Sequence, residues 1–83
     1  MKYFVYLLIS GTNDKSVTYV GYTSNIKNRL KLHNNSKGAK FTRGRQWKLI
    51  YKEKMVSKSK AISREYYIKN NRIVRNIIKN KNK

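Results

Sequence analysis

The sequence predicts an α/β domain in which a three-stranded antiparallel sheet is flanked by helices. Three observations lead there. An apolar and aromatic run of strand length, "KYFVYLLI" at residues 2–9, is followed by a second β-rich run, "VTYVGY" at residues 17–22. The intervening "SGTNDKS" is polar and carries Gly, Asn and Asp, the composition of a hairpin loop. Beyond it the apolar residues switch to helical spacing, interrupted by one further strand-like stretch.

The first run is almost continuously apolar, as expected of a strand covered on both faces, and the second should pair antiparallel with it. Tyr6 shares a face with Phe4 and Leu8; Tyr19 shares one with Val17 and Gly21. Thr23 or Ser24 can cap a first helix that runs to His33 or Asn34, before a stretch containing Asn35, Ser36 and Gly38. "GAKFTRGR", residues 38–45, is a basic loop bracketed by glycines. "QWKLIYKEKMV", residues 46–56, sets Trp47, Leu49 and Tyr51 at period two and is the third strand. Ser57 or Ser59 begins a second helix that ends near Lys69. "RIVRNIIK" supports a third over about residues 72–80, with Ile73, Val74, Ile77 and Ile78 on one side. No repeat or proline-rich linker divides the chain, so residues 1–83 read as one domain with a core over about residues 2–69.

A chain of 83 residues can bury one modest core but no large enclosed pocket, which puts any active site on the surface. It has no cysteine, hence neither a disulfide framework nor a thiolate metal cluster. It shows no basic-then-apolar leader and no apolar run of bilayer length, so it reads as soluble and cytoplasmic. The formal net charge is +18, from 21 Lys and Arg against three acids, Asp14, Glu53 and Glu65. A biased coding composition would account for abundant Lys, Asn, Ile and Tyr but not for missing acids. The charge points to a polyanionic partner, nucleic acid rather than an anionic membrane surface.

Two charged residues break the helical pattern. Advancing about 100° per residue, Ile26, Arg29, Leu30 and His33 share one arc, with Lys27, Asn28 and Lys31 opposite. On the second helix Glu65 falls beside Ala61 and Ile68 on the apolar stripe. Each placement has an ordinary explanation: Arg29 can snorkel, His33 can be a hydrogen-bonded boundary residue, Glu65 can pair with an arginine, and strand tyrosines usually belong to a core. Together they are less ordinary, because burying Arg29 and Glu65 costs several kcal/mol unless they are paired or functional.

These residues also resemble a known family. "FVY" at residues 4–6, "YVG" at 19–21, Arg29 and His33 on the following helix, and Glu65 within "AISREYYIK" resemble the GIY-YIG endonuclease superfamily. The match is nearest to its small stand-alone bacterial members, the YhbQ-like proteins, whose "GAKFTRGRxWxLIY"-type segment corresponds to residues 38–51. Phe4 replaces the first glycine of the signature and Val20 its isoleucine. The downstream asparagine used by several family nucleases is matched by Asn76, one residue short of the family spacing.

The resemblance implies a ββαβα nuclease fold with a further C-terminal helix, and phosphodiester cleavage with one divalent metal ion, Mg²⁺ or Mn²⁺. Three scattered acids also disfavour a two-metal site, which needs several carboxylates. On this reading Glu65 holds the metal, Arg29 contacts the scissile phosphate and Tyr19 activates water, with Tyr6 orienting it through a hydrogen bond. His33 shares proton transfer or orients Arg29. A phenol has a pKa near 10, and the surrounding cations are expected to favour the phenolate. Lys40, Arg43 and Arg45 are the phosphate-binding candidates; Lys58, Lys60 and Lys69 add nonspecific affinity. The implied activity is a DNA endonuclease, structure-selective or weakly sequence-specific, of repair or recombination. The alternatives are a nucleic-acid-binding module with little turnover and an RNA-associated protein that leaves Glu65 unexplained.

Overall fold

The computed structural model describes residues 2–11 and 15–81. The chain runs β1 (Tyr3–Ser10), β2 (Val17–Thr23), α1 (Ile26–Asn34), a 3₁₀ turn (Lys40–Thr42), β3 (Lys48–Met55), α2 (Lys58–Lys69) and α3 (Arg72–Lys81). β1 is the middle strand, antiparallel to β2 on one side and β3 on the other. The architecture is therefore the α/β arrangement expected, a three-stranded antiparallel sheet with helices. Of the hairpin loop, Thr12, Asn13 and Asp14 lie outside the described residues. No described helix is long and apolar enough to cross a membrane.

The alternation of β1 builds two cores. Val5 and Leu7 face α2 and α3, packing with Val20, Ala61, Ile68 and Ile78. Tyr6 and Leu8 face the other way, against Trp47, Tyr19, Ile26 and Leu30. The near-continuous apolar character of residues 2–9 follows from this double coverage.

Three sequence expectations shift. The period-two reading of β3 fails at its centre: Leu7 pairs with Tyr51 but Leu8 with Leu49, so one extra residue bulges from β3. Trp47 and Leu49 consequently sit in the α1-side core, while Ile50 and Tyr51 both pack on the other side. The cap of α1 is Asn25, whose side chain accepts from the Asn28 amide, rather than Thr23 or Ser24. Thr23 instead accepts a hydrogen bond from the Asn25 amide at 3.2 Å, bracing the cap from outside the helix. On α3, Val74 and Ile78 pack inward but Ile73 and Ile77 remain exposed. The two stripes are offset by about 100° around the helix, and only one can meet the core. Ser57 caps α2 as expected.

Ile68 is 1% exposed at the junction of α2, α3 and the sheet, whereas Ile73 is 73% exposed. Ile68→Ala is expected to cost about 2–5 kcal/mol through lost burial and the cavity left behind. Ile73→Ala is expected to stay within about 0.5 kcal/mol. Urea unfolding checks both, and equal losses would contradict this division of α3.

Candidate active site

β2 is an outer strand of the sheet, and an open cleft of about 420 Å³ lies beside it. Tyr6 of β1, Tyr19 and Gly21 of β2, Arg29 of α1, and Lys58 and Glu65 of α2 all line it, with Tyr3 and Tyr22. The two helices contact opposite faces of the sheet, α1 with the Tyr6 core and α2 with the Val5 core. The cleft thus gathers groups from both faces at the sheet's edge, which differs from the site between helix and sheet that an inward Arg29 suggests. Arg29 and Glu65 are each half-buried, consistent with their places on the apolar arcs of their helices.

A buried relay fixes one wall. The Tyr6 hydroxyl lies 2.9 Å from His33 Nε2, and His33 Nδ1 lies 2.8 Å from Thr42 Oγ1. Thr42 donates its only hydroxyl proton to the Ala39 carbonyl at 2.8 Å and accepts from the Ala39 amide at 3.2 Å. It can therefore only accept from His33, which assigns the proton of the neutral imidazole to Nδ1. Nε2 is then bare and accepts from Tyr6. The hydrogen bond of Tyr6 goes to His33 and not to Arg29 or Tyr19, and His33 orients Tyr6 rather than Arg29 among the described residues.

Two glycines make room for this relay. Gly21 pairs with Tyr6 across the strands, and a Cβ there would stand 2.6 Å from Tyr6 Cζ. A Cβ on Gly38 would stand 2.7 Å from His33 Cε1. Neither carries a positive φ; each is needed because a ring lies against its backbone. The 3₁₀ turn that brings Thr42 under His33 is anchored by Trp47, whose indole donates to the Thr42 carbonyl at 2.9 Å. Asn34 pins the end of α1 to the same loop by donating to the Trp47 carbonyl at 3.1 Å.

Electrostatics overturn the expectation that cations favour a phenolate. Burial pushes the Tyr6 phenol well above its ordinary value, and Tyr19 adds to the rise while Arg29 only partly opposes it. Tyr19 is also raised, by burial and then by the Glu65 carboxylate, again against Arg29. Most of the +18 charge is on exposed, solvated side chains that are screened from the phenols. His33 is lowered, by burial first and then by Arg29, and is neutral near pH 7.

The acids divide cleanly. Arg64 grips Glu53 with two hydrogen bonds, at 2.9 and 3.2 Å, and the Tyr51 hydroxyl also donates to Glu53. Asp14 lies outside the described residues. Glu65 has no hydrogen bond or ion pair with any described residue, so the arginine pairing belongs to Glu53 instead. No cluster of three or more His, Cys, Asp or Glu occurs among the described residues, so any metal here would take one carboxylate and otherwise water.

Lys40, Arg43 and Arg45 are exposed on or beside the 3₁₀ turn and do not line this cleft. Asn76 is exposed on α3 and does not line it either. Sequence reasoning gave Lys58 only a nonspecific role and did not single out Thr42. Lys58 follows the α2 cap directly, a position from which it reaches the cleft, and was visible in principle. Thr42 gives no signal of its own within a basic loop.

At this sheet edge Glu65, without a hydrogen-bond or ion-pair partner among the described residues, and Arg29 face two phenols. The chain is a member of the GIY-YIG nuclease family: the GIY-YIG catalytic domain matches residues 2–76. A UPF0213 protein of Oceanobacillus iheyensis is 44% identical over 82% of this chain and 77% of its own length. One of Clostridium perfringens is 51% identical over 77% of this chain and 69% of its own. The solution NMR structure of a UPF0213 protein from Bacillus halodurans is similar with a TM-score of 0.55 and 33% identity, covering 99% of this chain and 87% of that one.

Gly38→Ala forces a methyl group into the His33 ring, which cannot retreat without breaking its bonds to Thr42 and Tyr6. The expected cost is about 1–3 kcal/mol in urea unfolding, with a changed Tyr6 environment in ultraviolet difference spectra. Gly44, with open space around its α-carbon but φ of 74°, tests the contrast: Gly44→Asn, a residue that tolerates this region, is expected to leave the spectrum unaltered.

Proposed function

We propose that the protein is a metal-dependent DNA endonuclease, structure-selective or weakly sequence-specific, acting in the cytoplasm in repair or recombination. The observation that carries this reading is the convergence of Glu65 and Arg29, from helices on opposite faces, on one cleft with Tyr6 and Tyr19. The high positive charge supports a nucleic-acid substrate.

Glu65 suits one hard divalent ion. Its carboxylate is half-buried beside an open cleft and has no cation partner among the described residues, and a single carboxylate plus water matches the habit of Mg²⁺, with Mn²⁺ an alternative. When bound, that ion supplies Lewis-acid stabilisation of the phosphate and of the leaving oxygen.

Arg29 holds a nonbridging phosphate oxygen with fixed donors. Lys58, on the same cleft, adds a second positive contact to the backbone. Tyr19, whose hydroxyl makes no hydrogen bond with a described residue, positions the attacking water. Tyr6 takes that water's proton on its oxygen while its own proton passes to His33 Nε2, so the proton comes to rest on imidazole and no phenolate forms. Lys40, Arg43 and Arg45 bind phosphates away from the scissile bond.

Supercoiled, single-stranded and branched DNA, incubated with Mg²⁺ or Mn²⁺ and with chelator, test the reading. Arg29→Ala is expected to slow single-turnover cleavage by about 10²–10³-fold, and Glu65→Ala to abolish its metal stimulation, while both keep DNA binding in chelator. Binding without cleavage of any of these DNAs by the unaltered protein would leave a nucleic-acid-binding module instead; an RNA preference surviving Glu65→Ala would point to an RNA-associated protein.

The relay also fixes a pH dependence. Neutral His33 is required and burial, then Arg29, lowers its pKa, so cleavage falls only on acidification below the ordinary histidine range and is flat from about pH 7 to 9. A phenolate base would instead give a rate rising about tenfold per pH unit through that range. Substituting Lys40, Arg43 and Arg45 by Ala is expected to reduce the slope of log affinity against log salt by about 0.9 for each phosphate no longer bound. An unchanged slope would remove the loop from the interface.

A further inference from the structure

A second groove, of about 370 Å³, opens on the other side of Tyr19. Thr18, Tyr19 and Val20 of β2 form one wall, with Phe41 and the cations Lys69 and Arg75 around it. Phe41 is 58% exposed, although it stands in a basic loop between Lys40 and Arg43 where a polar residue would cost less to hydrate. Its ring is nearly parallel to Tyr19, with 6.2 Å between centroids and 21° between planes, and the Trp47 ring, tilted by 41°, has its centroid 6.2 Å away. Phe41 is therefore flanked by two rings while more than half of its surface stays exposed. Arg75 is held in place by its bonds to the Ile68 and Lys69 carbonyls at the end of α2, which fixes a positive charge at the groove with no ion pair to a described residue.

We infer that this groove is a nucleobase subsite, in which an unpaired base next to the scissile phosphate stacks on Phe41 while Lys69 and Arg75 meet the neighbouring backbone phosphate. The inference rests on the nuclease reading above, because Tyr19 is the wall shared by the two clefts. An exposed ring flanked by cations is the pairing that single-stranded nucleic acid requires, since every base offers a π-face and every linkage a charge. A base inside a duplex has its faces occupied by its neighbours, so the subsite selects a strand with at least one nucleotide splayed out. The same chemistry arises from DNA or RNA, and the sugar is left to the measurement.

The test uses a short fork whose unpaired arm carries 2-aminopurine next to the junction, a blunt duplex of the same sequence, and the fork with a ribonucleotide arm. Affinities are read in chelator, so that binding is independent of cleavage. Phe41→Ala is expected to weaken binding to the fork by ~10-fold, the size of one base–aromatic stack, and to the blunt duplex by less than about twofold. The unaltered protein is expected to quench the 2-aminopurine, and Phe41→Ala to abolish that quenching. Phe41→Trp restores both, whereas Phe41→Leu, apolar but without a π-face, does not. Circular-dichroism melting of each variant separates loss of stacking from loss of fold. Equal losses on fork and duplex, or full affinity in Phe41→Leu, would overturn the subsite. Phe41-dependent quenching only on the ribonucleotide arm keeps the subsite and assigns it to RNA. Metal-dependent cleavage by the unaltered protein is scored separately: cleavage with no effect of Phe41→Ala removes the subsite alone, and Phe41-dependent stacking without cleavage removes the nuclease reading alone.

Discussion

Tyr6 lies across the backbone of Gly21, with its hydroxyl on His33, and much of the remaining architecture is arranged to keep it there. The ring needs a partner strand without a side chain at the paired position, which Gly21 provides. The hydroxyl needs an acceptor, which His33 presents at Nε2 only because its proton sits on Nδ1, from which Thr42 accepts a hydrogen bond. Thr42 in turn needs a 3₁₀ turn, a glycine at residue 38 and an indole clamp from Trp47. Strand, helix and loop therefore meet through one buried polar chain. Such a network is stable only when every member is satisfied, and no buried side-chain donor or acceptor among the described residues is left without a partner.

The distribution of charge follows a similar economy. A domain with 21 Lys and Arg could easily neutralise each of its few acids. Among the described residues only Glu53 is so treated, between β3 and α2, where Arg64 and Tyr51 close around it. Glu65 is the next residue along α2, and the roughly 100° step from Arg64 turns it away from that ion pair toward the β2 edge. Adjacent positions on one helix thus serve opposite ends, one acid locked by its cation and the other held without one. Its negative charge raises Tyr19, and removing that charge or balancing it with a cation would ease the phenol back toward its ordinary range.

The sheet and its helices were legible because β1 advertises two covered faces and the helical arcs are well separated by charge. Arg29 and Glu65 stood out as charges on apolar arcs, and both line the cleft. The β3 bulge was not legible, since a single extra residue leaves the composition of the strand unchanged and shows itself only in the pairing with β1. The role of Asn25 was hidden by two better-placed hydroxyls just before it. The Tyr6–His33–Thr42 relay was beyond sequence reasoning for a different reason: its partners are separated by 27 and 9 residues, and the tautomer that defines its direction depends on a loop carbonyl. The cationic field misled about the phenols because net charge says nothing about which side of the dielectric boundary each charge occupies.

In the reaction proposed above, Arg29 connects binding to proton movement. In the free protein burial, and after that the Arg29 guanidinium, lowers the His33 pKa, so the acceptor at the end of the relay is available at neutral pH but weakly basic. A phosphate bound to Arg29 brings negative charge beside that guanidinium and offsets its effect on the imidazole. His33 then becomes a better proton acceptor at the moment a substrate arrives. The same phosphate makes a free phenolate less favourable, because Tyr19 already faces Glu65. On that proposal substrate binding pushes the two candidate bases in opposite directions, and it is the relay through Tyr6 to His33, not the phenol by itself, that an arriving phosphate would strengthen.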